Sequence, residues 1–341
     1  MKILVGMIIL VVLALAVLTI ISLYFYRVAI QRTPKEFLAN NPNLKQSDNW
    51  QARERMRQQW LEDHPCEEVK ITSFDGLTLY GYWFPAFHPT NKVALLAHGY
   101  TGQGKEMTAY ARIYFDKLGW NVLMPDNRGH GQSEGDYIGF GWHDRLDYVA
   151  WLDWILQRMG SDVEIVLHGV SMGGATVLMT SGEKLPDQVK AVVADCPYSS
   201  VTDILTYHLK EMYKLPAFPL IPATSLVTRI KAGYFFREAS ALDQVKKSRL
   251  PILFIQGDED KFVPTSMIYP LYEGCRNDKE LFLVPGAGHG ECLQKILRDT
   301  WVGLPHLYRS MQTSMIMPEV QFQEKKNLHF HFVSGFGGFL I

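Results

Sequence analysis

Apolar and polar residues follow two different patterns along this chain. From Ile3 to Tyr26 no residue carries a charge, and leucine, isoleucine and valine dominate. From residue 67 onward, short apolar runs alternate with longer stretches in which apolar residues recur at helical spacing. The first pattern predicts one helix that is apolar all round, and the second predicts a domain in which strands and helices alternate.

Eight strands are predicted in that domain. The first two surround Asp75-Gly76, a dipeptide typical of a hairpin turn. The alternation of strands and helices predicts an α/β fold with a mostly parallel, doubly wound sheet, and strands that are apolar without alternation indicate burial on both faces. The predicted strands cover residues 69–74, 77–84, 92–97, 121–124, 163–167, 189–194, 251–256 and 281–284, and the predicted helices cover 106–118, 143–159 and a segment that begins at Met172.

Residues 199–240 interrupt this alternation. The segment is rich in aromatic residues and prolines and holds no evident β-run. We expect a small helical insertion between two strands, placed as a lid over the substrate pocket, because irregular insertions on such scaffolds usually carry function. Packing against the rim of the sheet is the alternative.

The N-terminal apolar run is long enough to cross a bilayer, whose hydrocarbon core needs about 20 helical residues. A cleaved signal peptide is the competing interpretation, but its apolar core would span only about 7–15 residues, and Ala14-Leu15-Ala16, which resembles a cleavage site, lies inside the run. We therefore expect a single-pass transmembrane helix over residues 1–26 as the membrane anchor. One basic residue precedes the run and three follow it by residue 35, which favours a cytoplasmic catalytic domain, although large domains are also translocated despite such charges.

Residues 27–66 are predicted to form a juxtamembrane linker. Within this linker, residues 49–62 have the pattern of a charged amphipathic helix. Such a helix could rest on the membrane interface, but we expect it to pack against its own domain. Its apolar side is formed by Trp50, Met56, Trp60 and Leu61.

Composition and net charge limit the partners, disulfides and cofactors that we expect. The chain has 341 residues and a formal net charge of −1, so no basic excess indicates a nucleic-acid partner. The four cysteines form no CxxC pair and no spacing typical of zinc. We expect no disulfide framework, no metal and no organic cofactor.

A candidate nucleophile follows the fifth predicted strand. The segment Gly169-Val170-Ser171-Met172-Gly173 joins that strand to a helix, and its small residues allow the strained turn that exposes a serine Oγ. The N–H of Met172 would then stand at a helix N-terminus, whose partial positive charge stabilises an oxyanion. A glycine-rich loop with a surface serine is the alternative.

The candidate base and its carboxylate follow the last two strands. His289 lies in a glycine-rich loop after the final strand, and loops after parallel strands share one edge of a sheet, so His289 can meet Ser171. Residues 258–260, after the preceding strand, are all acidic, and the chain order is then serine, acid, histidine. Asp195, after another strand, is a fourth candidate acid.

The second oxyanion donor is expected in His98-Gly99-Tyr100-Thr101-Gly102, which follows the first parallel strand. A backbone N–H there, that of Tyr100, is placed to donate to the oxyanion. His98 is expected to be structural, because the donor role belongs to the backbone.

These motifs resemble the α/β-hydrolase superfamily, in particular its serine-aminopeptidase-like branch, and the chain is similar to membrane-anchored hydrolases of Gram-positive bacteria. The resemblance covers about residues 67–292. It implies that the acid is the fourth residue of a G-x-x-D unit, Asp260, and that Arg128 and the glycines beside it shape a turn behind the oxyanion loop. It rests on His98-Gly99, on residues 126–133 (DNRGHGQS), on the Ser171 turn, on Gly257-x-x-Asp260 with Val263-Pro264, and on Gly288-His289.

Motifs and resemblance together predict a serine hydrolase that cleaves a carboxylic ester with an apolar acyl or aryl group through an acyl-serine. Ser171, Asp260 and His289 would be catalytic, and the N–H groups of Tyr100 and Met172 would form the oxyanion hole. The partner would be a small-molecule acyl substrate at the cell membrane. Two alternatives stay open, namely a peptidase or amidase of the serine-aminopeptidase type and a catalytically silent, membrane-tethered binding protein.

The hydrolase domain is expected over residues 67–298 and an atypical tail over 299–341. Hydrolases of this kind continue after the histidine loop with a proline-started amphipathic helix, whereas the glycine, phenylalanine and histidine runs within Leu293–Ile341 suit no packed helix. One choice of codons for residues 295–301 encodes Asp-Pro-Glu-Gly-Tyr-Leu one frame over. Our hypothesis is a reading-frame error after about Cys292.

Overall fold

A sheet of eight strands runs through the computed structural model, which describes residues 1–35, 38, 41, 43, 44 and 50–299. The strands lie in the order β1-β2-β4-β3-β5-β6-β7-β8, where β1 is Glu67–Thr72, β2 Thr78–Phe84, β3 Lys92–Ala97, β4 Asn121–Pro125, β5 Glu164–Val170, β6 Val189–Asp195, β7 Ile252–Gly257 and β8 Lys279–Val284. The junctions β1–β2 and β2–β4 are antiparallel, and the others are parallel. The predicted α/β fold with its mostly parallel sheet is confirmed.

Helices pack on both faces of this sheet. Along β3, Val93 and Leu95 belong to one hydrophobic cluster, whereas Ala94 and Leu96 belong to another, as expected for a strand buried on both faces. The helices are α1 (Lys2–Phe25), α2 (Trp50–Asp63), α3 (Thr108–Arg112), α4 (Asp144–Met159), α5 (Met172–Ser181), α6 (Val201–Tyr213), α7 (Ala217–Ala232), α8 (Ala241–Val245), α9 (Ile268–Gly274) and α10 (Cys292–Asp299).

The helix predicted over residues 106–118 is broken. A 3₁₀ turn (Gly104–Met107), the short α3 and a π-helical turn (Ile113–Lys117) take its place. The chain is closely packed just before this segment, since a Cβ on Gly104 would lie 2.4 Å from the carbonyl oxygen of Met124. The apolar spacing of this segment therefore does not produce one continuous α-helix.

The helix α1 and its continuation to Ile30 are long and apolar enough to cross a membrane, by length and composition. Its side chains are exposed as far as Val17. From Leu18 onward one stripe at helical spacing is partly or fully buried, and α1 packs there against α7. This stripe consists of Leu18, Ile21, Ser22, Phe25, Tyr26, Ala29 and Ile30.

The start of the predicted linker is part of the folded domain, which differs from the prediction. A π-helical turn, Tyr26–Ile30, continues α1, and Tyr26 and Ile30 belong to the main hydrophobic cluster. The carbonyl of Ile30 accepts a hydrogen bond of 2.7 Å from the N–H of Ile138. The charge of Arg27 lies on the exposed side of the turn, so the apolar face continues past the residue at which the pattern indicated a boundary.

Lys35 ends this turn. Its Nζ donates to the carbonyl oxygens of Val28 at 2.8 Å and Gln31 at 2.7 Å, where a cation also stabilises the C-terminal end of the helix dipole. Burial lowers the pKa of Lys35 to about 8. Lys35 therefore caps the turn that follows α1.

The helix α2 packs on its own domain, as expected. Trp60 is buried in the second hydrophobic cluster, and its Nε1–H donates to the Asp116 carboxylate at 3.1 Å. Met56, predicted on the apolar side, is exposed.

The segment between β6 and β7 is helical, which confirms the predicted insertion. Its helices α6 and α7 are called the lid below. At the other end of the domain, α10 buries Leu293 and Ile296, so the start of the atypical segment is a packed helix. Residues 300–341, which include nearly all of the predicted tail, lie outside the described residues.

Candidate active site

Ser171 stands on a strained turn between β5 and α5. Its backbone has φ 56° and ψ −117°, a conformation that costs a non-glycine residue energy and occurs mainly at functional sites. A Cβ on Gly169 would lie 2.0 Å from the Gly173 carbonyl oxygen, and one on Gly173 would lie 2.0 Å from that of Ala97. The two glycines are therefore needed for the strand and the helix to approach each other at this turn.

Ser171, His289 and Asp260 form one hydrogen-bonded chain. The Oγ of Ser171 lies 2.9 Å from Nε2 of His289, and Nδ1 of His289 lies 2.8 Å from Oδ2 of Asp260. With Asp260 ionised, Nδ1 carries the proton and donates to the carboxylate, so Nε2 accepts from the serine hydroxyl. This tautomer is the one that a general base for Ser171 requires.

Asp260 is fixed by three further donors. Its Oδ1 accepts from the N–H groups of Phe262 at 2.9 Å and Val263 at 2.8 Å, and its Oδ2 accepts from Nε2 of Gln256 at 3.0 Å. Its side chain is fully buried, so these bonds hold the carboxylate toward His289. The Phe262 and Gln256 contributions were missed in the sequence, because neither residue belongs to a motif.

The other candidate acids lie elsewhere. Asp258 and Glu259 are exposed, and Asp258 accepts from the N–H of Gly286 at 2.7 Å. Asp195 is buried behind the site, where its Oδ2 accepts from the hydroxyl of Tyr110 at 2.8 Å. Burial raises the pKa of Asp195 to about 6, although hydrogen bonds from Tyr110 and Cys292 oppose this shift.

The predicted oxyanion donors flank Ser171. Met172 is the first residue of α5, and the Ser171 side chain does not cap this helix. Tyr100 lies on the loop after β3, and its side chain and those of Ser171 and Met172 line one pocket. Donation from these two N–H groups to a substrate stays a prediction.

Two neutral histidines hold the loop after β3. Nε2 of His98 accepts from the N–H of Asn127 at 3.0 Å, and Nε2 of His130 accepts from the N–H of Thr101 at 3.3 Å. Burial lowers the pKa of His98 to about 4 and that of His130 to about 3, so both rings are uncharged acceptors at neutral pH. His98 thus has the structural contacts expected from the sequence, whereas the matching contact of His130 was missed.

Behind this loop, Arg128 joins two acidic residues. Its fully buried guanidinium donates to both carboxylate oxygens of Asp147, each at 2.7 Å, and to those of Asp75 at 2.9 and 3.2 Å. Bidentate pairs of this kind fix geometry as well as adding energy. The turn expected behind the oxyanion loop is therefore tied to the β1–β2 hairpin and to α4.

An apolar pocket opens beside Ser171. The empty space between its lining residues is about 850 Å³, including the part open to solvent. The lid lines one side with residues that include Leu205, Leu209 and Leu220, and another side is lined by Phe25 at the end of α1 and by Val28 on the turn after it. The lid was expected here, but the contribution of α1 and this turn was not.

Three side chains of types that can bind a metal ion lie close together at the site. Ligand atoms of Cys196, Asp260 and His289 lie within 4.8 Å of one another. Burial raises the pKa of the Cys196 thiol well above its usual value, and a neutral thiol is a poor ligand because metals bind the thiolate. The bond between Asp260 and His289 also uses the atoms that would bind an ion, so this group does not fit a metal site.

Comparisons with known proteins indicate the same fold as the structure. A family model described as the alpha/beta hydrolase fold matches residues 93–219. The uncharacterized protein YqkD of Bacillus subtilis (strain 168) is 32% identical over 227 residues, which cover 65% of this chain and 74% of YqkD. The protein bem46 of Schizosaccharomyces pombe is 25% identical over 220 residues, which cover 63% of this chain and 68% of bem46.

Among solved structures, the chain is similar to the Pyrococcus furiosus esterase PF2001, with a TM-score of 0.59 and 22% identity over 74% of this chain and 93% of the esterase. This likeness concerns the fold. The family model and the 32% identity to YqkD identify the chain as a member of the alpha/beta hydrolase superfamily.

Proposed function

We propose that this protein is a serine hydrolase that cleaves a carboxylic ester with an apolar acyl or aryl group. The observation that carries the proposal is the hydrogen-bonded chain from Ser171 through His289 to Asp260 at the wall of an apolar pocket. Membership in a hydrolase superfamily supports it, and a similar fold in an esterase agrees with it.

In the proposed reaction, the Ser171 Oγ attacks the ester carbonyl carbon while Nε2 of His289 takes the hydroxyl proton. The N–H groups of Tyr100 and Met172 would stabilise the oxyanion of the tetrahedral intermediate. The bond to the alcohol then breaks, and His289 returns the proton to the leaving oxygen. A water molecule repeats the sequence on the acyl-serine and releases the acid. Asp260 keeps the imidazole in the required tautomer throughout.

We also propose that α1 anchors the protein in the cell membrane as a single span. Its length and uniform apolar character support this, and the basic residues after it favour a cytoplasmic domain. The proposed organisation is an anchor over residues 1–26, a hydrolase domain over 67–298 with its lid within 199–240, and an intervening segment whose first residues pack onto that domain.

Paired esters and amides that share one acyl group test the proposed reaction. Ser171→Ala should lower kcat by about 10⁴–10⁶ on the ester, because the covalent route is lost, without changing the melting temperature by more than a few degrees. Faster cleavage of the amide than of the ester, corrected for uncatalysed rates, would favour the peptidase alternative. A folded protein that cleaves neither would favour the binding protein.

A further inference from the structure

The end of α1 and the turn after it form part of the pocket beside Ser171. Phe25, at the end of α1, and Val28 and Ala29, on the turn after it, line the same cavity as Ser171. The Tyr100 hydroxyl donates to the carbonyl of Ala29 at 2.7 Å, so the loop that carries a predicted oxyanion donor is bonded directly to that turn. With α1 as the proposed span, the pocket would lie where the chain leaves the bilayer.

The lid helix α7 lies at the level of the bilayer boundary. A hydrocarbon core takes about 20 helical residues, so a span that begins at Ile3 ends near Ser22. The buried stripe of α1 begins at Leu18 and includes the fully buried Ser22, and α1 is in contact with α7. Contact between the two helices thus occurs around the last turn of the span.

The two faces of α7 differ in exposure. Thr224 and Thr228 are buried, whereas Leu226 and Ile230 are 53% and 77% exposed. Two residues turn a helix by about 200°, so the exposed pair lies opposite the buried pair. Phe218, which has extended backbone (φ −93°, ψ 132°) at a kink near the start of α7, is 79% exposed as well.

Basic residues border this exposed apolar face. Arg229, Lys231 and Arg237 are exposed, and Nζ of Lys231 lies 5.7 Å from the ring centre of Tyr26, the residue that follows α1. An apolar face flanked by cations, continuous with a membrane span, has the composition of a helix that rests in the membrane interface and contacts anionic lipids.

We propose that the face of α7 formed by Leu226 and Ile230 inserts into the bilayer interface, and that the pocket takes the acyl chain of an ester that resides in the bilayer. This inference rests on the proposed hydrolase function and on the anchor. The substrate would move from the membrane along the junction of α1 and α7 to Ser171, without its acyl chain crossing water.

The test compares two esters with one leaving group, 4-methylumbelliferyl oleate dissolved in vesicles of phosphatidylcholine and phosphatidylglycerol, and water-soluble 4-methylumbelliferyl acetate. The full chain is reconstituted in the same vesicles. Leu226→Glu with Ile230→Glu should lower oleate turnover at least about tenfold, because the charges withdraw α7 from the interface, and change acetate turnover by less than about twofold. Leu226→Phe with Ile230→Phe should retain oleate turnover.

Phe87→Glu is the matched control, because Phe87 is an exposed aromatic residue, 73% accessible, that does not line the pocket. It should leave both activities within about twofold. Two outcomes would overturn the inference and leave the hydrolase function standing, provided that fluorophosphonate still labels the double Glu variant. One is an equal loss of turnover on the two esters, and the other is no loss of turnover on the oleate. Absence of labelling and of turnover in the unaltered protein would instead contradict the proposed function itself.

Discussion

Deletion of two lengths of the N-terminal apolar segment tests whether the end of this segment belongs to the folded domain. A form that lacks residues 1–17 loses only exposed side chains. A form that lacks residues 1–30 also loses Tyr26 and Ile30, which are 6% and 0% exposed, and the carbonyl that accepts from the N–H of Ile138. The structure therefore predicts that the shorter deletion is tolerated and the longer one is not.

The expected cost of the longer deletion follows from burial. Each fully buried large apolar side chain contributes about 1.5–3 kcal/mol, so the two residues account for roughly 3–6 kcal/mol out of a typical total of about 5–15 kcal/mol. For a domain of this size about 1 kcal/mol shifts the melting temperature by roughly 2–4 °C. The form without residues 1–30 should melt at least about 6 °C below the form without residues 1–17.

Thermal melts of both forms in one non-ionic detergent, followed by acetate-ester turnover at 25 °C, give the comparison. The longer deletion should also reduce turnover, because it opens the pocket wall and frees the Tyr100 hydroxyl from Ala29. Equal melting temperatures and equal turnover would refute the packing argument and restore the linker that the sequence pattern indicated.

The remaining predictions concern three carboxylates. Asp260→Asn should lower kcat by roughly 10⁴, by analogy with other triads, because it favours the wrong histidine tautomer. Asp258 is exposed, so Asp258→Asn should lower kcat by less than about tenfold. Steady-state kinetics that rank the two variants in the reverse order would contradict the assignment of Asp260 as the acid. Asp195→Asn should stabilise the protein by about 3 kcal/mol at pH 7.5, because burial raises the folded pKa of Asp195 from 3.8 to about 6 and each unit is worth about 1.36 kcal/mol. That cost is absent below the unfolded pKa of 3.8, grows between the two pKa values and is complete above the folded pKa of about 6, so the gain should fall to about half at pH 5. Denaturant melts with a pH-independent gain, or a loss, would argue against it.

The strands and the serine turn were predictable because their signals are local. An apolar run between turn residues predicts β5. The close backbone approach at Gly169 and Gly173 leaves no room for a side chain, so the sequence has glycine at both positions around Ser171. Choosing Asp260 among neighbouring acids needed a resemblance, since only the fold decides which carboxylate points at His289.

The role of the anchor in the pocket was not predictable in the same way. A run that is apolar all round carries no periodicity, so nothing distinguishes the buried stripe that contains Ser22 and Phe25 from the exposed faces. Arg27 suggested a boundary, yet its side chain points outward and the helix continues into the core at Ile30. Long-range packing decides which face of such a helix is buried, and the amino-acid composition of the run does not show that packing.

Labelling with a fluorophosphonate tests the central claim most directly, because this reagent forms a covalent bond with a serine that an adjacent base activates. Peptide mass mapping of the labelled full chain should find one adduct, on Ser171, and should find none after Ser171→Ala. His289→Ala should slow labelling by several orders of magnitude, since it removes the base 2.9 Å from the hydroxyl. An adduct on another residue, or no adduct on protein whose melt confirms that it is folded, would contradict the account.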